Sequence, residues 1–164
     1  MYKYETHLHT KEGSACSSAP AADMARAHKA AGYDGIFVTD HFFNANTAVP
    51  RDLPWEDRVD RYFLGYEHAK EVGDEIGLKV WFGCEFTVYN ADFLIYGMEK
   101  DWMKANEELL MHTDERVLFS KLRNELDCFI VHAHPFRHAS YIHHISLYPY
   151  DVDAVETINA SHDP

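Results

Sequence analysis

Gly35-Ile36-Phe37-Val38-Thr39-Asp40-His41 is an apolar run of strand length that stops at two residue types able to bind a metal. Upstream, Pro20 suits the first turn of a helix, Met24, Ala27, His28 and Ala31 recur at helical spacing, and Gly32 can end it. Before that helix, Tyr2-Lys3-Tyr4-Glu5-Thr6 leads into His7-Leu8-His9. Strand side chains alternate, so these two imidazoles share a face with their Cα atoms about 6.6–7 Å apart, within reach of one ion. Strand, loop, helix, strand is the unit of a parallel sheet.

The same pattern recurs downstream. Glu85 follows Val80-Trp81-Phe82-Gly83-Cys84, and His132-Ala133-His134 follows Cys128-Phe129-Ile130-Val131. A helix is predicted from near Pro54, with Trp55, Val59, Tyr62, Phe63, Tyr66, Ala69 and Val72 at 3.6-residue spacing and Gly73 and Gly77 at its end. Strands are predicted over 79–87 and 92–97 around a turn at Tyr89-Asn90-Ala91, a helix over 114–126, and a short strand over 152–158. Together these predict an α/β fold on a largely parallel sheet, open or closed into a barrel. Sites in such folds collect at the carboxyl ends of the strands, where the candidate ligands fall.

Composition sets the limits. The chain has 164 residues, 46% of them hydrophobic, which suits one globular domain with a sizeable core. Its net charge of −12 argues against extended nucleic-acid contact, although a local basic group could still hold one phosphate. Cys16, Cys84 and Cys128 are odd in number and lack C-x-x-C spacing, so reduced thiols and a cytoplasmic location are expected. No apolar stretch reaches the about 18 residues of a membrane span, so no membrane contact is expected.

His7-x-His9 alone is a weak signal in a chain with 12 histidines. The alternatives to ligation are a helix N-cap role for Asp40 and ordinary surface placement for Glu85. His132-x-His134 is stronger, because burying two imidazoles without partners is costly. Mixed imidazole and carboxylate donors suit Zn²⁺, Mn²⁺ or Fe²⁺ better than Mg²⁺ or Ca²⁺. Zinc or manganese is expected, with Glu85 able to bridge two ions about 3.5–4 Å apart.

Across its length the chain resembles the PHP (polymerase and histidinol phosphatase) family. The likeness is carried by His7-Leu8-His9-Thr10, Val38-Thr39-Asp40-His41, Gly83-Cys84-Glu85, His132-Ala133-His134-Pro135 and Glu156-Thr157-Ile158-Asn159. It implies a distorted (β/α)7 TIM-like barrel with two or three divalent ions at the carboxyl ends of its strands. It also implies that His7 and His9 hold one ion, His41 a second and His134 a third, with Glu85 bridging. Three departures stand out. Ser14-Ala15-Cys16 occupies a stretch where the family often has an Asp or His ligand, and Asp92 stands where it usually adds a histidine. The family's closing Asp-x-His is not found before Pro164, and His162-Asp163 has the reverse order. The expectation is therefore one PHP domain over 1–164, incomplete at its C-terminus, with an exposed sheet edge able to pair with a second copy.

Arg137, three residues past His134, can present its planar fork to a phosphate. Phe42-Phe43-Asn44-Ala45-Asn46-Thr47 is expected to shape access to the site, whereas Trp55, Tyr62, Phe63 and Tyr66 are expected to pack in the core. His138, His143 and His144 are expected in a solvated loop near the mouth. The leading functional expectation is a metal-dependent, histidinol-phosphatase-like phosphoesterase acting on a small phosphorylated substrate through metal-bound hydroxide. A non-catalytic metal-binding or regulatory module and a polymerase-associated proofreading domain are the alternatives.

Overall fold

The computed structural model of the chain describes residues 1–89, 91–137 and 145–159. Strands β1 (Tyr4–Leu8), β2 (Gly35–Val38) and β3 (Lys79–Val88) run parallel. Strand β4 (Ala91–Tyr96) is antiparallel to β3 and to β5 (Phe129–Ala133), and the two-residue β6 (Ala154–Val155) lies parallel to β5. Helix α1 (Ala21–Ala30) crosses from β1 to β2, and α2 (Trp55–Ile76) from β2 to β3. Helices α3 (Lys100–Ala105), α4 (Glu107–His112) and α5 (Glu115–Leu126) fill the connection from β4 to β5.

Local chemistry sets the helix ends. Pro54 precedes α2, and Gly77 closes it in the left-handed conformation at φ 70°, its N–H returning to the Gly73 carbonyl. Asp114 caps α5 by accepting from the Arg116 N–H at 3.0 Å. None of the helices among the described residues is long and apolar enough to cross a membrane.

The expected (β/α)7 barrel does not form. Among the described residues the sheet has six strands in the order β1-β2-β3-β4-β5-β6, curved into a half-barrel with five helices. Two residues separate β3 from β4. Parallel neighbours need a crossover of a dozen or more residues, so this connection can only be a hairpin. The register Glu85↔Leu94 and Asp92↔Ala133 then makes the second half of the sheet antiparallel, and the largely parallel sheet expected from sequence is a mixed one. The short strand expected over 152–158 shrinks to Ala154–Val155.

Two apolar cores back the sheet. Leu8, Ile36, Val38 and Val80 meet Ala21 and Ala25 of α1 and Ala69 and Val72 of α2. A larger, aromatic core gathers Phe42, Phe43, Tyr62, Phe86, Phe93, Phe119 and Ile130. Tyr62 and Phe63 are buried, as their spacing predicts. Phe42 and Phe43 correct the access-loop reading: both are core residues, and of that segment Ala45 and Asn46 line the cleft described below.

Gly65 on α2 is where the helix approaches the strand ends. A Cβ there would collide with Thr10 Oγ1 and crowd Asp40 Oδ2. Alanine normally favours a helix over glycine by about 1 kcal/mol. Gly65→Ala should nevertheless lower stability by about 1–2 kcal/mol, because overpacking costs more than the helix gains. Urea denaturation checks this, and an unchanged or raised midpoint would show that α2 has room to shift.

Candidate metal centre

Register brings the donors together. The β2–β3 ladder continues past Val38: Glu85 N–H donates to the Asp40 carbonyl and Phe42 N–H to the Glu85 carbonyl, both at 2.9 Å, so His41 and Glu85 lie side by side. On β1, Leu8 enters the core while His7 and His9 take the opposite face, as period-two alternation requires. On β4, Asp92 is paired with Thr87, one face-repeat beyond Glu85.

His134 arrives differently. Val131 pairs with Leu94, the partner of Glu85, so Val131 and Ala133 share the Glu85 face and His132 the other. Accordingly His132 is buried against the Phe93 and Tyr148 rings, away from the cluster. Regular alternation would put His134 beside it. Instead its backbone turns to φ 28°, a left-handed value uncommon outside glycine, and its Nε2 comes 3.0 Å from Glu85 Oε1.

Glu85 is the hub. Its side chain is 1% exposed, with Oε1 3.3 Å from His7 Nε2 and Oε2 3.3 Å from His9 Nε2 and 2.8 Å from His41 Nδ1. Asp92 Oδ2 lies 3.7 Å from His134 Nε2, while its Oδ1 accepts from Thr87 Oγ1 at 2.6 Å. Burial opposes the Glu85 charge, but the close approach of the His134, His41 and His7 imidazoles outweighs it and holds the carboxyl well below its ordinary range.

Two further carboxylates, Glu156 and Asp40, decide which imidazole nitrogens face Glu85. Glu156, just past β6, sits 3.1 Å from His7 Nδ1 and accepts from the His134 N–H at 2.9 Å. A carboxylate only accepts, so His7 Nδ1 carries the hydrogen and Nε2 is directed at Glu85. Asp40 is 2% exposed and accepts from Thr10 N–H at 2.6 Å, Thr10 Oγ1 at 2.7 Å and Ser14 Oγ at 2.7 Å. With its hydrogen given to Asp40, Ser14 Oγ accepts from His41 N–H at 2.9 Å and faces His9 Nδ1 at 3.1 Å. His9 Nδ1 is therefore the donor, and its Nε2 also points at Glu85. Asp40 is thus no helix cap but a latch between the β1 and β2 ends, further tied by Tyr62 donating to its carbonyl.

These arrangements fit a metal. Among the described residues, His7 Nε2, His41 Nδ1 and Glu85 Oε2 are buried without a hydrogen-bond partner, though each lies close to another donor atom. Nitrogen lone pairs and a carboxylate this close repel unless positive charge lies among them, a proton or a cation. The donor atoms form overlapping groups within 4.8 Å: His7, His9 and Glu85; Glu85, Asp92 and His134; His7, His134 and Glu156; and His9, Cys16 and His41. In the metal-free protein, burial works against a charge on His7, but Glu156 and Glu85 raise its pKa to about 10. Burial lowers His9 to about 4, with the neighbouring imidazoles adding to the effect.

The structure therefore brings together His7, His9, His41, Glu85, Asp92 and His134, and it places Arg137 in the wall of the same cleft, of about 750 Å³. His138, His143, His144, His162 and Asp163 lie outside the described residues. Glu156 and Cys16 were not singled out as donors from sequence. A carboxylate directly after an apolar pair was the available sign for Glu156, as it was for Glu85. For Cys16 the available sign was its place in the stretch where the resemblance leads one to expect an Asp or His ligand.

The fold is similar to that of a two-domain protein from Bacteroides vulgatus containing a predicted PHP-like metal-dependent phosphoesterase, with a TM-score of 0.66 and 15% sequence identity. The likeness covers 90% of this chain and 39% of that one. No protein-family profile and no curated protein matches the chain. At that identity the likeness concerns the fold.

Asp40→Ala should cost about 2–5 kcal/mol, because it strands three buried donors from Thr10 and Ser14. Asp40→Asn should cost less, since its amide oxygen can still accept. Equal urea midpoints for Asp40→Ala and the parent would remove the latch.

Proposed function

We propose that the chain is a metal-dependent hydrolase of small phosphate esters, and that its cleft holds two or three divalent ions, zinc or manganese. The observation that carries this reading is the convergence of four imidazoles on the buried Glu85 carboxylate at the mouth of a cleft containing Arg137. The fold likeness to a chain containing a predicted PHP-like metal-dependent phosphoesterase supports it.

Divalent ions supply Lewis acidity toward phosphoryl oxygens and an activated water at neutral pH. The chain's own groups do the rest. Glu85 remains ionised, so both its oxygens are available to two neighbouring positions. Glu156 and Ser14 fix His7 and His9 in the tautomer that offers Nε2. Arg137, whose backbone N–H donates to the His134 carbonyl at 2.9 Å, lines the cleft, and its guanidinium binds and orients the phosphate. The cleft suits a small phosphorylated molecule, and with a net charge of −12 the chain has no reason to favour a long polyanion.

Elemental analysis after reconstitution with Zn²⁺ or Mn²⁺ should find more than one equivalent per chain in the parent. Glu85→Gln should lose more metal than any single histidine variant. Arg137→Ala should keep its metal and lose about 10–100-fold in kcat/KM on a phosphomonoester, chiefly through KM, as removal of a charged hydrogen bond implies. No bound metal in the reconstituted parent would overturn the proposal. Full metal without turnover of any phosphate ester would leave a binding module in its place.

A further inference from the structure

We infer that Cys16 is a metal ligand, so that one position of the centre is a thiolate site selective for zinc and other thiophilic ions. This rests on the metal-centre reading above and extends it to a residue type that reading does not require. The donor atoms of His9, Cys16 and His41 lie within 4.8 Å of one another. A buried atom without a hydrogen bond borders two of these three residues and is the candidate for a fourth donor: Glu85 Oε2, on a side chain 1% exposed, lies 3.3 Å from His9 Nε2 and 2.8 Å from His41 Nδ1.

Cys16 is exposed, yet its backbone is fixed on both sides. Before it, Ser14 bridges to Thr47, and Ala15 N–H donates to the Asn46 carbonyl at 2.9 Å. After it, Ser17 N–H donates to the Ser14 carbonyl and Ser17 Oγ to the His9 carbonyl, both at 3.2 Å. The Ser14 hydroxyl that fixes the loop also orients His9 and receives the His41 N–H, so one side chain sets three of the four donors.

Two imidazoles, one thiolate and one carboxylate oxygen make the donor set and number that Zn²⁺ favours, whereas Mn²⁺ and Mg²⁺ discriminate against sulfur. The group of Glu85, Asp92 and His134 holds no sulfur. The two positions share Glu85 but differ in softness, so zinc should fill the Cys16 position first, and manganese should enter only the other.

Cys84 and Cys128 are buried, so alkylation of the folded chain reads Cys16 directly. In chelator-stripped protein, iodoacetamide should modify Cys16 alone, and stoichiometric Zn²⁺ should slow that reaction about tenfold or more, since a ligated thiolate is no longer a free nucleophile. Mn²⁺ should not protect it. Co²⁺ should give a near-ultraviolet thiolate charge-transfer band that Cys16→Ser and Cys16→Asp lack, while Cys16→Asp keeps its cobalt by elemental analysis. X-ray absorption of the zinc form should show one sulfur at about 2.3 Å. Zn²⁺ and Co²⁺ bound at parental stoichiometry, without the band and without a sulfur neighbour, would overturn this inference and leave the nitrogen and oxygen centre standing. If neither ion bound the parent at all, the metal-centre reading would fall together with it.

Discussion

A carboxylate buried to 1% exposure in the middle of a sheet is the constraint around which this molecule is arranged. Removing such an ion from water costs several kcal/mol even after relaxation, and only close, well-directed hydrogen-bond donors or cations offset that. Glu85 cannot obtain them from its own strand, where Cys84 and Phe86 face the core. It obtains them from three other chain segments, which end beside it with His7 and His9, His41, and His134. The sheet must therefore curve. β1 and β6 are its two edges, and the His7–Glu156 contact at 3.1 Å and the Tyr96 hydroxyl on the Thr6 carbonyl at 2.7 Å draw the first strand toward the second half of the sheet.

The switch from parallel to antiparallel pairing does not scatter the candidate ligands. Parallel strands β1 and β2 deliver their donors at or just beyond their carboxyl ends, and β5 does the same with His134. β4 runs the other way and contributes Asp92 from its start, which lies at the same end of the sheet. A hairpin thus does for Asp92 what a crossover helix does for His41. The rule that sites collect at strand carboxyl ends holds here for the site as a whole, and one ligand meets it by reversal.

What could be read from the sequence follows from the range of the interactions involved. Apolar runs ending in His or Glu are local signals, and the structure brings those residues into one cluster. Helix α2 was legible from its spacing and from Pro54 and Gly77. The barrel was not, because closure and strand direction depend on pairing between distant segments, and the short Tyr89-Asn90 connection had to be weighed as a topological statement rather than as a turn. His132 and His134 look alike in sequence, and only a backbone torsion at His134 separates a core residue from a candidate ligand. Phe42 and Phe43 were read by their neighbour His41 rather than by their own hydrophobicity, which is what places them. Asp40 sits between these cases: its residue type was visible, but its partners Thr10 and Ser14 come from a segment about thirty residues away.

The charges around His7 and His9 differ, although the two imidazoles share one face of β1. His7 sits between two carboxylates, Glu85 and Glu156, which raise its pKa to about 10 against the penalty of burial, whereas His9, one position further along the same face, is lowered to about 4. A random group of buried histidines would be pushed toward neutrality together. Here the fold gathers enough negative charge to keep one proton on His7 while leaving His9 with a lone pair at neutral pH. Raised in this way, His7 adds to stability below its ordinary pKa of 6.5, and that contribution is lost as pH climbs through about 10. The Nδ1 contacts of the two rings follow the same division: His7 Nδ1 faces the Glu156 carboxylate at 3.1 Å, and His9 Nδ1 faces the Ser14 hydroxyl at 3.1 Å.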